Sequence, residues 1–269
     1  MENDKTALIT GASSGIGMEL ARLFAQDGYR LVLTARSEDK LNALADELAE
    51  AHGAHSLILP KDLAQPNAPA ELHNALKENA VQVDALINNA GIGCYGFFHE
   101  TNLERIAGML QLNIISLTAL TRLLLPEMAA RGGGRIMNIA STAAFQPGPL
   151  MAAYFASKAY VLSFSQAVAN EAADSGVSIT CLCPGPAATG FIESAQIGSP
   201  RIFKMNILDS SRVAREGYRA MTRGKRVAVV GRINKILALA VRLSPRNLTT
   251  RALRFLLTDP KRPPAKETS

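Results

Sequence analysis

The chain has 269 residues, of which 48% are hydrophobic and 19% charged, enough to bury one large core and too apolar for a disordered protein. Trp is absent and aromatic residues make up 5%, so Leu, Ile, Val and Ala must build that core. The net charge of +6 is unevenly placed: residues 1–200 carry 12 Lys/Arg against 19 Asp/Glu and residues 201–269 carry 17 against 4, so the basic character belongs to the last quarter alone.

The sequence opens Met1-Glu2-Asn3-Asp4-Lys5 and runs into a strand-like stretch without the apolar core of a signal peptide. It has no run of 18 apolar residues, so a cytoplasmic location with no membrane-spanning helix is expected. Cys94, Cys181 and Cys183 have no framework spacing and are expected as reduced, buried thiols, the last two on one face of a strand.

Strand-like and helix-period stretches alternate along the chain. Ala7-Leu8-Ile9 reads as a strand, and residues 15–27 as a helix with Ile16, Leu20, Leu23 and Phe24 on one face. Gly28 stops that helix before a strand at 30–34. Ser37 is placed as the N-cap of a helix over 37–52, with Glu38 and Asp39 in its first turn. A strand at 56–59, a helix over 68–80, a strand at 85–87 and one long helix over 102–130 follow. A strand at 135–139, a helix over 152–175 and strands at 177–182 and 226–230 complete the pattern. Such alternation predicts an α/β fold: one doubly wound, Rossmann-like domain over residues 1–231, built on a seven-stranded, mainly parallel sheet. A basic helical extension of the same domain occupies 232–269.

Thr10-Gly11-Ala12-Ser13-Ser14-Gly15-Ile16-Gly17 joins the first strand to the first helix. Glycines there let the backbone turn tightly and approach a pyrophosphate at the positive end of the helix. The spacing, Thr-Gly-x3-Gly-x-Gly, resembles the fingerprint of the short-chain dehydrogenase/reductase family. The second strand ends Thr34-Ala35-Arg36, without the acid that pairs with the ribose hydroxyls of NAD. Arg36 offers a planar fork for a 2′-phosphate instead, so NADP(H) is the expected coenzyme. Asp62-Leu63 and Asn88-Asn89-Ala90-Gly91, after the third and fourth strands, match the family's adenine-pocket and sheet-stabilising positions.

Tyr154-Phe155-Ala156-Ser157-Lys158 puts a phenol and an ammonium one turn apart on one helix face. The cation favours phenolate and is expected to draw the Tyr154 pKa down from about 10 toward the working pH. Ser141, ending the fifth strand, is placed to hydrogen-bond a substrate oxygen from a second direction. Asn113 is a polar residue in an apolar helix and needs partners; a distortion of the helix there would let it hold a water.

In order, Asn113, Ser141, Tyr154 and Lys158 match the family's catalytic tetrad, and the resemblance covers about residues 4–190. It implies hydride transfer between NADP(H) and a carbonyl or alcohol carbon, with Tyr154 as general acid or base and Ser141 steadying the oxygen. Lys158 is implied to bind the nicotinamide ribose and lower the Tyr154 pKa, and Asn113 to hold a proton-relay water. The resemblance also implies coenzyme contacts at Gly11, Ser13, Ser14, Gly15, Ile16, Gly17, Arg36, Asp62, Leu63, Asn89, Ala90 and Gly91. Tyr154, Lys158, Pro184, Gly185 and Thr189 are implied at its nicotinamide end.

Residues 190–212 correspond to the family's variable substrate-covering segment, and Phe191, Ile192, Ile202, Phe203 and Met205 suggest a small hydrophobic carbonyl substrate. His52, His55, His73 and His99 lack carboxylate or Cys partners at ligand spacing, so no metal is expected. Over 232–257 Lys/Arg mix with apolar residues, Ile233, Ile236, Leu237, Ala240 and Val241 falling at helical spacing before a break at Ser244-Pro245. The pattern fits peripheral contact with an anionic membrane or docking on its own or a neighbouring subunit, the second being the favoured expectation. No recognised module or interleaved aromatics accompany these cations, so nucleic-acid binding is not expected.

The resemblance further implies a homodimer or homotetramer built on the helices over 102–130 and 152–175. A non-catalytic NADP-binding regulator is the rival reading, and an isomerase using NADP without net consumption is a second. The intact Tyr154/Lys158 pair favours the oxidoreductase.

Overall fold

The computed structural model describes residues 5–187, 200 and 207–259. Strands β1 (Thr6–Thr10), β2 (Arg30–Thr34), β3 (Ser56–Ile58), β4 (Ala85–Asn88), β5 (Gly134–Ile139), β6 (Val177–Cys183) and β7 (Val227–Val229) form one sheet in the order β3-β2-β1-β4-β5-β6-β7. Every neighbouring pair is parallel. The connecting helices are α1 (Gly15–Gln26), α2 (Glu38–His52), α3 (Ala68–Glu78), α4 (Leu103–Leu110), α5 (Leu117–Ala130), α6 (Ala152–Glu171) and α7 (Ser210–Thr222). After β7 come α8 (Arg232–Leu243) and α9 (Arg246–Leu257).

Neighbours along a strand point to opposite faces, so each strand feeds two cores. Ile9, Leu31 and Leu33 pack with Leu20, Phe24 and Leu41 from α1 and α2 and Val213 from α7. Leu8, Val32 and Leu86 pack on the other face with Leu72 and Leu76 of α3 and Leu120 and Leu124 of α5. The chain winds outward from β1 to β3, returns to β4 and winds outward again to β7. Adjacent connections therefore leave the C-terminal ends of β1 and β4 in opposite directions, which opens a crevice between them.

Several expectations need correction. The long helix over 102–130 is interrupted by a π turn at Gln111–Ser116. Leu103–Ala130 is also long and apolar enough to cross a bilayer by length and composition, contrary to the expectation; Leu120, Leu124 and Met128 are buried against the sheet, as in a core helix. The helix from 152 ends at Glu171 and is followed by a 3-10 turn at Ala173–Ser175. Ser37 occupies the N-cap position of α2 without making a side-chain capping bond. Helix α7 was not expected; Asp209 caps it by accepting from the Arg212 N–H (3.3 Å), and a Cβ on Gly217 would lie 2.6 Å from Leu182 Cδ2, so the helix packs tightly on β6. His73 has a carboxylate partner after all, with Nε2 2.8 Å from Glu127 Oε1. Cys181 and Cys183 are buried free thiols on one face of β6, with their Sγ atoms 3.9 Å apart.

A buried polar chain ties the centre of the sheet to both helices behind it. Asn88 Nδ2 donates to Thr121 Oγ1 (3.1 Å) and to Asn138 Oδ1 (2.9 Å). Asn138 Nδ2 donates to Ser165 Oγ (3.0 Å), whose hydroxyl donates to the Val161 carbonyl. Asn138 is fully buried, so its removal strips partners from groups that water cannot reach. Asn138→Ala is expected to lower the unfolding free energy by about 2–4 kcal/mol, read from chemical denaturation; a loss within experimental error would show that the chain contributes nothing.

Candidate active site

The nucleotide end of the crevice is built at the tip of β1. Thr10 Oγ1 donates to the Ile87 carbonyl (3.1 Å) and accepts from the backbone N–H groups of Asn89 and Ala90 (2.9 Å each). Asn89 Nδ2 returns hydrogen bonds to the carbonyls of Thr10 (2.9 Å) and Gly11 (3.1 Å). Gly11 has φ +65°, which favours glycine, and a Cβ there would stand 2.9 Å from Ala90 Cα. A Cβ on Gly17 would lie 2.4 Å from both Asn89 Nδ2 and the Gly11 carbonyl oxygen. The turn thus delivers the unpaired N–H groups of the first turn of α1 to the crevice, where an anion is favoured.

A cleft of about 730 Å³ follows this crevice. It touches Gly11, Ser13, Ser14, Gly15 and Ile16 from the glycine turn, and Asn89, Ala90 and Gly91 from the end of β4. At one end lie Arg36, Asp62 and Leu63; at the other lie Ser141, Tyr154, Lys158, Pro184 and Gly185. Gly17 and Asn113 do not line it and stand one layer behind. Thr189 and most of the 190–212 segment fall outside the described residues. Lys40 and Lys61 also border the Arg36 end, giving three cations within one wall, although Lys61 is paired with Glu71 at 2.9 Å.

The π turn explains Asn113. A π turn inserts an extra residue into the helical repeat, and here it turns a polar side chain inward, 1% exposed. Asn113 Nδ2 donates to the Ile92 carbonyl (3.0 Å) and to Ser157 Oγ (3.2 Å), while its Oδ1 accepts from the Ile92 N–H (3.1 Å). It fixes the strand-end loop against α6. A Cβ on Gly91 would lie 3.2 Å from Asn113 Oδ1 and 3.4 Å from Lys158 Nζ, so these two side chains sit just behind that loop.

Ser141 follows β5 in an extended conformation and opens a short 3-10 turn. Its Oγ accepts from the Ala143 N–H (3.1 Å) and donates to the Pro184 carbonyl (3.4 Å). Tyr154 and Lys158 are both buried on α6. Lys158 Nζ donates to the Ile139 carbonyl (2.9 Å) and lies 5.9 Å from the centroid of the Tyr154 ring.

Here the expected titration is overturned. Burial pushes the Tyr154 phenol up to about 12, and hydrogen bonding to Ser141 pulls the other way without prevailing. Burial also presses the Lys158 ammonium down to about 8. The ammonium gives a hydrogen bond to the Ile139 carbonyl, and loss of solvent decides the direction for both groups.

The arrangement fits a dinucleotide. The glycine cradle has no room for side chains, the helix terminus favours a pyrophosphate, and the cation cluster lies at the far end of the cleft. Sequence reasoning missed the role of Thr10, whose hydroxyl ties the turn, and Lys40, in the first turn of α2 four residues after Arg36. It also missed the opposite wall, where Met151, Phe155 and Leu257 line the cleft and Tyr95 OH donates to the Leu257 carbonyl (2.7 Å). The spacing of Arg36 and Lys40 was a usable signal; the approach of residue 257 to residue 95 was not.

A doubly wound parallel sheet with a glycine-cradled helix terminus at its switch point defines a nucleotide-binding α/β protein. More narrowly, the chain belongs to the short-chain dehydrogenase family, since the model of short chain dehydrogenase matches residues 5–198. It is similar to the ketoacyl reductase HetN of Nostoc sp., 35% identical over 199 residues, covering 74% of this chain and 69% of that relative. Its structure resembles a short-chain dehydrogenase from Sphingobium yanoikuyae in complex with NADPH, with a TM-score of 0.80 and 32% identity over 91% of this chain and 95% of that one. It also resembles a short chain dehydrogenase/reductase from Burkholderia phymatum in complex with NAD, with a TM-score of 0.79 and 28% identity over 97% and 99% of the two chains.

A buried ammonium with a depressed pKa costs stability wherever the unfolded chain binds the extra proton. Below pH 8 both states carry it and the full cost is felt; between about 8 and 10.5 the folded state has released it and stability rises with pH. Lys158→Met should therefore raise the melting temperature of the coenzyme-free protein at pH 7 by several degrees, on the order of 1–3 kcal/mol, while abolishing turnover. The gap should close as the pH rises toward 10.5. An unchanged or lower melting temperature at pH 7 would mean that the lost Ile139 contact outweighs the buried charge.

Proposed function

We propose that this oxidoreductase transfers a hydride between NADP(H) and a small hydrophobic carbonyl or alcohol substrate. The observation that carries the reading is Tyr154: a buried phenol on the wall of the cleft, hydrogen-bonded to Ser141, with Lys158 one turn away. When bound, the coenzyme supplies the hydride.

The chain's own residues then have the following tasks. Gly11, Ser13, Ser14, Gly15 and Ile16 would hold the pyrophosphate, with Gly17 and Asn89 shaping the turn behind it. Asp62 and Leu63 would border the adenine, Ala90 and Gly91 the adjoining ribose, and Pro184, Gly185 and Thr189 the nicotinamide. Tyr154 carries its proton at neutral pH and would donate it to the oxygen of a carbonyl being reduced, and bound coenzyme and Lys158 would have to offset the effect of burial on its pKa. Ser141 steadies that oxygen, and the Ala143 N–H and Pro184 carbonyl orient its hydroxyl. Lys158, held by the Ile139 carbonyl behind Gly91, would contact the nicotinamide ribose and pass protons. Asn113 acts as a positioning residue for Ile92 and Ser157 and supports the relay water.

NADP(H) rather than NAD(H) is favoured by Arg36 and Lys40 at the ribose end. A hydrophobic substrate is favoured by Met151, Phe155 and Leu257 at the opposite end. The name of the Nostoc relative, a ketoacyl reductase, agrees with such a carbonyl. Exposed Ile115 in the π turn and the Tyr160–Phe164 stack on α6 (5.7 Å) supply an apolar face for a homodimer.

Tyr154→Phe removes one oxygen and keeps the ring packing. Carbonyl reduction should fall by about 10²–10⁴-fold with NADPH affinity unchanged, measured by turnover and by fluorescence titration; retained turnover would remove Tyr154 from the chemistry. Arg36→Ala should raise the KM for NADPH about 10–100-fold and leave that for NADH nearly unmoved. Equal losses for both coenzymes would refute the phosphate contact.

A further inference from the structure

We propose that the outward face of α8 and α9 is a docking surface for an anionic lipid bilayer. Among the described residues, seven of the twelve exposed large hydrophobic side chains lie on these two helices. On α8 they are Ile233, Ile236, Leu237, Leu239 and Leu243, with Ile236 67% and Leu243 83% exposed; on α9 they are Leu248 and Phe255. Val241, grouped with the stripe by sequence, turns partly inward instead. The same span, residues 232–257, holds six Lys/Arg and no Asp/Glu.

This face is not needed to hold the helices in place, because their inner sides are already engaged. Asn234 Nδ2 donates to the Val230 carbonyl (2.8 Å), and Gly185 approaches it so closely that a Cβ there would lie 2.5 Å from Asn234 Nδ2. The Arg242 guanidinium sits 6.0 Å from the Phe145 ring centroid. Leu253 and Leu257 are buried with Met151 and Phe155, and Tyr95 OH holds the Leu257 carbonyl. The outer Ile, Leu and Phe side chains therefore form a ridge on an anchored element rather than a loose core.

The occupant must satisfy both aliphatic side chains and cations that have no ion pair among the described residues. A second copy of this chain meeting the face about a two-fold axis would set five cations against five, Arg242 being engaged on Phe145, with no acid of the two helices to separate them. A nucleic-acid backbone would neutralise the cations and leave five aliphatic side chains of α8 without a dry partner. Anionic headgroups with acyl chains beneath them serve both requirements, as they do for interfacial helices. Leu257, on the inner side of the same pair, lines the cleft, so a docked protein would draw its substrate beside the lipid phase. That consequence rests on the proposed reaction, whereas docking does not.

The test uses the full chain, with vesicles of phosphatidylcholine alone and of phosphatidylcholine mixed with phosphatidylglycerol, followed by flotation. Binding is expected on the mixed vesicles at low salt, at least about tenfold weaker on the neutral ones, and reversed by high salt. The double variant Ile236→Glu, Leu243→Glu alters only exposed side chains. It should lose the vesicles while keeping its melting temperature and its turnover of a water-soluble ketone. Failure of the wild-type chain to float with the mixed vesicles at low salt, or undiminished flotation of the variant, would overturn the proposal. So would a wild-type dimer that the variant turns into a monomer, since a second copy would then cover the face.

Discussion

Asn89 donates to Thr10 through both its backbone N–H and its side-chain amide, tying the end of β4 to the end of β1, and the rest of the site is measured from that knot. One hydroxyl takes two backbone N–H groups and one amide takes two carbonyls, so the ends of both strands are fixed to each other before any ligand arrives. The cost is space: the amide lies where side chains at positions 11 and 17 would be, and glycine is the residue that fits. A parallel sheet splits its connections at one place, and here that place coincides with the knot. The topology makes the crevice, and the knot keeps its floor from closing.

The reacting end depends on a balance of two electrostatic effects of similar size. A cation about 6 Å from a phenolate, at an effective dielectric near 20, is worth about 3 kcal/mol, or roughly two pKa units. Removing water from a buried phenolate costs a comparable amount in the opposite direction. Burial prevails at Tyr154, while Lys158 gives a hydrogen bond to the Ile139 carbonyl. The outcome is a neutral phenol next to a buried ammonium, the ammonium held at a cost in stability. Such sites are found where a protein keeps groups ready for proton transfer rather than for packing.

Much of this was legible in the residues. The doubly wound parallel sheet and the glycine turn follow from periodicity and from the position of the first βα junction, whereas the strand order comes from the structure. Tyr154 and Lys158 share a helix face by spacing, Ser141 is joined to them by the resemblance to the family, and the structure brings all three to one end of the cleft. The direction of the Tyr154 shift did not follow, because helical spacing reports which side chains share a face and says nothing about water or competing carbonyls. The π turn was only half legible: a buried Asn in an apolar helix signals a polar requirement, but not the extra residue that meets it. Helix α7 escaped because its apolar positions, Val213, Ala214, Gly217, Ala220 and Met221, are small and sparse; close approach to β6 holds it in place of bulk.

The C-terminal helices show how one element comes under two separate demands. A helix that walls a cleft needs apolar residues only along its inner stripe, and Leu253 and Leu257, one turn apart, supply that for α9. Nothing in that role constrains the opposite side, which in a helix facing water ordinarily carries charges of both signs. Here the opposite side combines Leu248 and Phe255 with Arg251 and Arg254, and α8 repeats the combination more strongly. Residues 1–200 carry an excess of acid, so the cations of this pair do not follow from the composition of the whole chain. Cations and aliphatic side chains together on an anchored outer face answer to something beyond the fold, and an interface with negative charge above and hydrocarbon below accounts for both at once.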